Sequence, residues 1–95
     1  MTNSKQEIEI KVDEDKLEGN YSNLMKVFHT EEEFILDFFL ISEPRGTLNS
    51  RVIMTPGHVK RLIKALEDNI EKYEQNYGEI EEADDQEVDL DSSYE

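Results

Sequence analysis

The residues best suited to chemistry in this sequence are a group of cations that stands apart from every carboxylate. Positions 44 to 66 contain no Asp or Glu, although the whole chain has 24 acidic and 10 basic residues and a net charge of −14. Cationic side chains and the free N–H groups of a helix start both favour phosphate or carboxylate. We therefore predict an anion- or partner-binding site at Arg45, Arg51, Thr55, Gly57, His58, Lys60, Arg61 and Lys64.

The alternative is that these cations are only the solvated face of an amphipathic helix. Runs of surface charge usually serve solvation, and exposed ion pairs contribute little stability. Lys64 with Asp68, and Asp68 with Lys72, have the spacing of ordinary helical ion pairs. Under this interpretation the cations balance acids elsewhere in the fold and bind nothing.

Catalysis and metal binding are not expected from the residues present. His29 and His58 are the two histidines, and no metal-ligand spacing joins them. The chain has no cysteine for thiol chemistry or for a disulfide. Asp37 lies in an apolar segment, where a carboxylate either does acid–base work or, more often, meets a backbone donor or an Arg such as Arg51. The sequence offers no nucleophile with a general base to activate it. We therefore expect a protein that is not an enzyme and needs no cofactor or metal.

The elements that position these residues begin with strands. Residues 6–12 alternate polar and apolar side chains, which is typical of a strand with one wet face. Residues 21–29 form a second candidate strand. Residues 34–41 are apolar on both faces except at Asp37, which indicates a central strand that is covered on two sides. Residues 51–54 form a short last strand after a Pro- and Gly-containing turn.

A long helix follows the strands. Thr55 is a good N-cap, Pro56 suits the first helical position, and Gly78 suits the residue after the last turn. We therefore predict an α+β fold in which an antiparallel sheet of three to four strands precedes one long C-terminal amphipathic helix. The helix carries one apolar stripe over about six turns, formed by Val59, Leu62, Ile63, Leu66, Ile70, Tyr73 and Tyr77.

The chain divides into three parts by composition. Residues 1–20 are predicted to be a flexible segment that contains the first candidate strand, and residues 21–78 to be the folded core. Residues 79–95 include nine acids and no cation, which is typical of a disordered tail. The tail either keeps the protein soluble, or competes with nucleic acid for the cations, or binds a basic partner directly.

A single copy leaves apolar surface without a cover. One helix covers one face of a sheet, so the second face of the central strand needs another partner. The helix is also about 33 Å long, which exceeds the width of a small sheet. We predict a homodimer, with a monomer whose aromatic residues fill irregular gaps as the alternative. The expected dimer or partner surface consists of Ile35, Phe39, Ile41, Ile70, Tyr73 and Tyr77.

Several short motifs resemble one known family. They are Tyr-Ser-Asn from Tyr21, Glu-Phe-Ile-Leu-Asp-Phe from Glu33, Arg-Val-Ile-Met-Thr-Pro-Gly-His from Arg51, and Gly-Glu-Ile from Gly78. Together they resemble small bacterial and archaeal proteins known as a domain of unknown function (the 3467 type). The resemblance covers residues 21–80 and leaves out the first 20 residues and the tail. It implies a compact domain of strands followed by one long helix, and it brings no catalytic residues.

These observations favour a non-enzymatic protein-binding or adaptor module that works as a homodimer and binds another protein. A small chaperone-like holdase is the first alternative. A nucleic-acid-associated regulator gated by the acidic tail is disfavoured because the net charge repels a polyanion. No apolar stretch approaches the roughly 20 residues that span a bilayer, and the first residues lack the apolar segment of a signal peptide. We therefore expect a cytoplasmic protein without a membrane partner.

Overall fold

The computed structural model describes residues 6–83 and residue 90. Its three strands form one antiparallel sheet in the order β1-β2-β3, and a long helix follows the last strand. The predicted α+β architecture is therefore confirmed, with three strands in the sheet. In chain order the elements are α1 (Glu14–Glu18), β1 (Leu24–His29), β2 (Phe34–Ser42), β3 (Arg45–Met54) and α2 (Pro56–Tyr77).

Two tight turns join the strands. Thr30 closes the first turn, because its Oγ1 accepts hydrogen bonds from the backbone N–H groups of Glu32 and Glu33, both at 3.2 Å. The second turn consists of Glu43 and Pro44, joined by a cis peptide bond, which is the arrangement of a turn with cis-proline at its third position. This turn is shorter than the sequence predicted. As a result β3 begins at Arg45 and pairs with β2 over its whole length.

The alternating segment at residues 6–12 lies outside the sheet. Alternation gives a strand an apolar face, but a strand also needs a backbone partner, and Ile8 and Ile10 remain exposed. The charged stretch after it, predicted to be a flexible connection, contains the one-turn helix α1. The tail predicted for residues 79–95 lies mostly outside the described residues. Of that tail, residues 79–83 and 90 are described, and they belong to no helix or strand.

The hydrophobic core is small and centred on β2. Among the described residues, the buried apolar side chains are Leu36, 8% exposed, and Phe39, 3% exposed. They lie on opposite faces of the central strand because strand side chains alternate. On the outer strands, Val27 and Val52 flank Leu36 in register and are both exposed. The sheet face that carries Leu36 is therefore covered at its centre and exposed at its margins.

Helix α2 has the ends that the sequence predicts. The hydroxyl of Thr55 accepts a hydrogen bond from the backbone N–H of His58 at 3.3 Å, and Pro56 is the first helical residue. Gly78 ends the helix with a positive φ of 94°, and its N–H donates to the Glu74 carbonyl at 3.0 Å. A side chain at that φ would be strained, which explains a glycine there.

The position of α2 differs from the expectation that it covers one face of the sheet. No described residue of α2 is buried, and the helix makes only marginal contact with the strands. Only one residue, Thr55, separates β3 from α2, so the chain has no loop that turns the helix back over the sheet. Consequently α2 leaves the sheet at its end. No helix within residues 6–83 has the length and apolar character needed to cross a bilayer.

Candidate functional site

The candidate cations are divided among three places, and the first is the centre of the sheet. Arg51 on β3 lies directly across from Asp37 on β2. Its Nε and Nη2 atoms donate to the two carboxylate oxygens of Asp37, each at 2.7 Å. Asp37 is 0% exposed, while the side chain of Arg51 is 45% exposed. This bidentate pair, which the sequence predicted as one alternative for Asp37, neutralises a buried carboxylate.

A second cation flanks the same carboxylate. Lys26 on β1 lies across from Asp37 on the other side and is half-buried. Sequence reasoning missed this placement because it depends on the pairing register of β1 with β2. Residues in register project to the same face of a sheet, so Asp37 sits between an Arg and a Lys. Arg51 therefore has a structural partner, and its position in the sheet separates it from the helix start.

Arg45 is at a second place, far from the helix start. It is the first residue of β3, next to the Glu43–Pro44 turn, whereas Thr55 follows the last residue of the same strand. A strand rises about 3.3 Å per residue, so the two ends of β3 are about 30 Å apart. A single small anion does not contact both.

The remaining candidates come together on the first turns of α2. Thr55, Gly57 and His58 form the helix start, and all of them are exposed. Gly57 has no atom within 4 Å of the position a Cβ would occupy, so the approach to the backbone N–H groups is open. The capping hydroxyl of Thr55 already satisfies the N–H of His58, which leaves fewer donors for a ligand.

Three cations project from this part of the helix. At 100° per residue, Arg61 and Lys64 lie on the side opposite the apolar stripe and Lys60 lies at its flank, and all three are exposed. Within residues 6–83, none of the three forms an ion pair with a carboxylate. We call these three residues the α2 cation patch. Of the cations predicted for the site, these are the ones that the helix keeps together and leaves to solvent.

The predicted apolar partner surface is also divided. Phe39 lies in the core of the single chain, flanked in register by Leu24 and Leu48, so it offers no surface to a partner. Ile35 and Ile41 are half-buried. The helix residues are the accessible part of the prediction, because Ile70, Tyr73 and Tyr77 are all exposed.

The exposed apolar residues of α2 form a continuous stripe. Ile63 and Leu66 precede Ile70 on the same side of the helix and are likewise about half exposed. The rings of Tyr73 and Tyr77 lie 5.0 Å apart, one turn from each other, so they pack on each other along the helix. A stripe of this length without a cover is typical of a surface that another element occupies.

Sequence reasoning also missed a group of polar side chains whose hydrogen bonds hold the start of β1. The side-chain amide of Asn23 donates to the Ile41 carbonyl at 3.0 Å and accepts from the Ile41 N–H at 2.8 Å, as a strand backbone would. Ser22 Oγ donates to the Phe39 carbonyl at 3.0 Å. Asn49, the extra residue of a β-bulge in β3, donates to the Tyr21 carbonyl at 2.6 Å. The Tyr-Ser-Asn motif at positions 21–23 therefore stabilises the start of β1 through hydrogen bonds to β2 and β3.

The described part of the chain contains no group of three or more His, Asp or Glu side chains arranged to hold a metal ion. His29 stacks on Phe34, with ring centroids 5.5 Å apart, and His58 is exposed on α2. The two histidines therefore occupy different elements, β1 and α2.

Comparison with known proteins agrees with the resemblance seen in the motifs. A family model described as a protein of unknown function (DUF3467) matches residues 1–82. The chain belongs to this family. The match begins at residue 1, so the first 20 residues are included in it, contrary to the extent inferred from the motifs. Neither a curated protein nor a solved structure matches the chain. The family description assigns no activity, so the function must be argued from the geometry of the α2 cation patch and the apolar stripe.

Proposed function

We propose that this protein is a non-enzymatic protein-binding module of the cytoplasm that works as a homodimer. In this proposal the α2 cation patch binds an acidic segment of another protein. The observation that supports it is the exposure of Lys60, Arg61 and Lys64, which form no ion pair within residues 6–83. Three neighbouring cations on a helix stretch, residues 56–66, that contains no acid attract a short carboxylate-rich segment.

A protein segment fits this surface better than nucleic acid does. The net charge of −14 opposes a long polyanion, and three cations give a small footprint for a phosphate backbone. A short acidic peptide carries fewer charges than a nucleic acid, so the net charge repels it less and direct contacts with the patch weigh more. Short-range contacts then offset the long-range repulsion.

The test is binding of a fluorescent acidic peptide, followed by anisotropy at low and at physiological salt. Reversing two charges in Arg61→Glu/Lys64→Glu is expected to weaken binding about tenfold or more, because two attractive contacts become repulsive. Lys16→Glu/Lys72→Glu makes the same change in net charge outside the patch and serves as the matched control. Equal affinities for the two double variants would contradict the proposal.

A holdase is the second candidate, and the exposed apolar stripe of α2 favours it. A holdase suppresses aggregation of an unfolded client at stoichiometric ratio, and it depends on the stripe more than on the cations. In an aggregation assay, Leu66→Glu would then abolish protection, while Arg61→Glu/Lys64→Glu would retain it. A wild-type protein that gives no protection would rule this candidate out.

The nucleic-acid alternative has its own test. Truncation after Gly78 removes the acidic tail that would compete with DNA or RNA for the cations. If the truncated protein does not bind single- or double-stranded nucleic acid at low salt, this function is excluded.

A further inference from the structure

The spacing of the apolar stripe of α2 predicts contact with a second helix, and not only an amphipathic helix. Its exposed members recur at alternating steps of three and four residues, which is the heptad repeat of a two-helix seam. Ile63, Ile70 and Tyr77 occupy one seam position, and Leu66 and Tyr73 occupy the other. The first member of the seam, Val59, is half-buried. We refer to these six residues as the α2 seam.

We infer that the occupant of the α2 seam is α2 of a second copy, packed antiparallel. This inference rests on the proposed homodimer and specifies its interface. Three members of the seam, Ile70, Tyr73 and Tyr77, are the part of the predicted dimer surface that a single chain leaves open, because Phe39 is in the core and α2 makes only marginal contact with the sheet.

The charge distribution along α2 favours the antiparallel orientation. Residues 56–66 carry three cations and no acid, whereas residues 67–77 carry four acids and one cation. A parallel pair would place like charges side by side at both ends. An antiparallel pair places the basic half of each helix against the acidic half of the other, and like-charge contacts in a packed interface are costly.

Side-chain volume favours the same orientation. In the antiparallel pair, Leu66 faces Ile70 of the second copy, Ile63 faces Tyr73, and Val59 faces Tyr77. The two outer layers then combine a tyrosine with a smaller aliphatic side chain, and the layer between them combines leucine with isoleucine. A parallel pair would oppose tyrosine to tyrosine in two successive layers and valine to valine at the other end, which fills a seam less evenly.

One ion pair follows from this register. Lys60 and Glu74 flank the seam on the same side, so Lys60 of each copy meets Glu74 of the other. Glu74 is half-buried at the end of α2, where its Oε2 accepts from the Ile80 N–H at 2.9 Å; this contact holds the carboxylate in place. Arg61 and Lys64 point away from the seam, so the dimer leaves them accessible for the acidic segment of a partner.

Disulfide trapping tests the orientation, because the chain has no cysteine of its own. The double variant Lys60→Cys/Glu74→Cys is expected to form a covalent dimer under mild oxidation. Within one helix these positions are about 21 Å apart, so they cannot bridge within a chain. Neither single variant should cross-link. Tyr77→Cys is the control for the parallel orientation, because position 77 of the two copies then lies side by side.

A charge exchange tests the same contact without cross-linking. Lys60→Glu is expected to raise the dimer dissociation constant about tenfold, because two symmetric attractions become repulsions. Lys60→Glu/Glu74→Lys should restore most of the affinity. Circular dichroism of each variant verifies that the fold is retained.

The outcomes separate this inference from the proposed function. If the dimer is stable and Tyr77→Cys cross-links but Lys60→Cys/Glu74→Cys does not, the antiparallel seam is wrong. The proposed homodimer is then unaffected. A dimer that neither variant traps would overturn the helix interface. A native mass that stays monomeric at high concentration would overturn the homodimer itself. Cross-linking of Lys60→Cys/Glu74→Cys alone, together with restored affinity in the charge exchange, is the result expected.

Discussion

At the scale of single residues, the Asp37–Arg51 pair has the largest expected effect on stability. Asp37 is 0% exposed and its two oxygens accept from Arg51. Removing the guanidinium in Arg51→Met leaves a buried carboxylate with one cation fewer, which costs about 3–5 kcal/mol when a pair is fully buried. Because the Arg51 side chain is 45% exposed, we expect a loss of about 2–3 kcal/mol in urea unfolding.

The double variant Asp37→Leu/Arg51→Met is the control for this interpretation. It removes both charges and fills the site with apolar atoms, so it should be more stable than Arg51→Met alone. If the double variant is the less stable of the two, the pair acts through packing and not through charge. Lys26, across from Asp37, is retained in both proteins.

At the scale of elements, the junction between β3 and α2 depends on one hydroxyl. Thr55 Oγ1 accepts from the His58 N–H and caps a helix that has little support from the sheet. Thr55→Ala is therefore expected to lower the free energy of unfolding by about 1 kcal/mol and to fray the first turn. Thr55→Ser keeps the acceptor and should restore most of that stability. Amide hydrogen exchange at positions 58 and 59 locates the fraying, and protection that is unchanged in Thr55→Ala would count against the cap.

At the scale of the whole molecule, the described residues bury few apolar side chains within one copy. Leu36 and Phe39 form the buried apolar core within residues 6–83, whereas burying one large apolar side chain gains only about 1.5–3 kcal/mol. Stability should then depend on association. We expect the melting temperature of the wild-type protein to rise with protein concentration.

Leu66→Glu separates the dimer from a monomer. Leu66 is 54% exposed in the single chain, so in a monomer the substitution should change stability by less than about 0.5 kcal/mol. In a dimer it places two charges in the seam, and both the concentration dependence and the dimer should be lost. Gln75→Glu adds the same charge on the outer side of α2 and should leave both intact. Sedimentation of the three proteins decides the question, and equal behaviour of the two variants would contradict the seam.

Local chemistry in the sequence was sufficient to predict the helix and the central strand. Thr55, Pro56 and Gly78 mark the ends of α2 because capping depends on residues adjacent in the chain. The two-sided apolar pattern around Asp37 marked β2 as central for the same local reason, and Arg51 was named as a partner of that carboxylate. The grouping of Lys60, Arg61 and Lys64 also followed from sequence, since the geometry of one helix keeps them together.

Only the tertiary structure decided which surfaces remain open. It separated Arg45 and Arg51 from the helix start, because strand length and register are set by pairing between distant segments. It left residues 6–12 out of the sheet and buried Phe39, since burial depends on what packs across a face and not on the pattern along it. It also placed α2 beyond the sheet, so that the apolar stripe faces solvent in the single chain. Residue spacing creates such a stripe, but only the arrangement of whole elements determines whether the chain covers it.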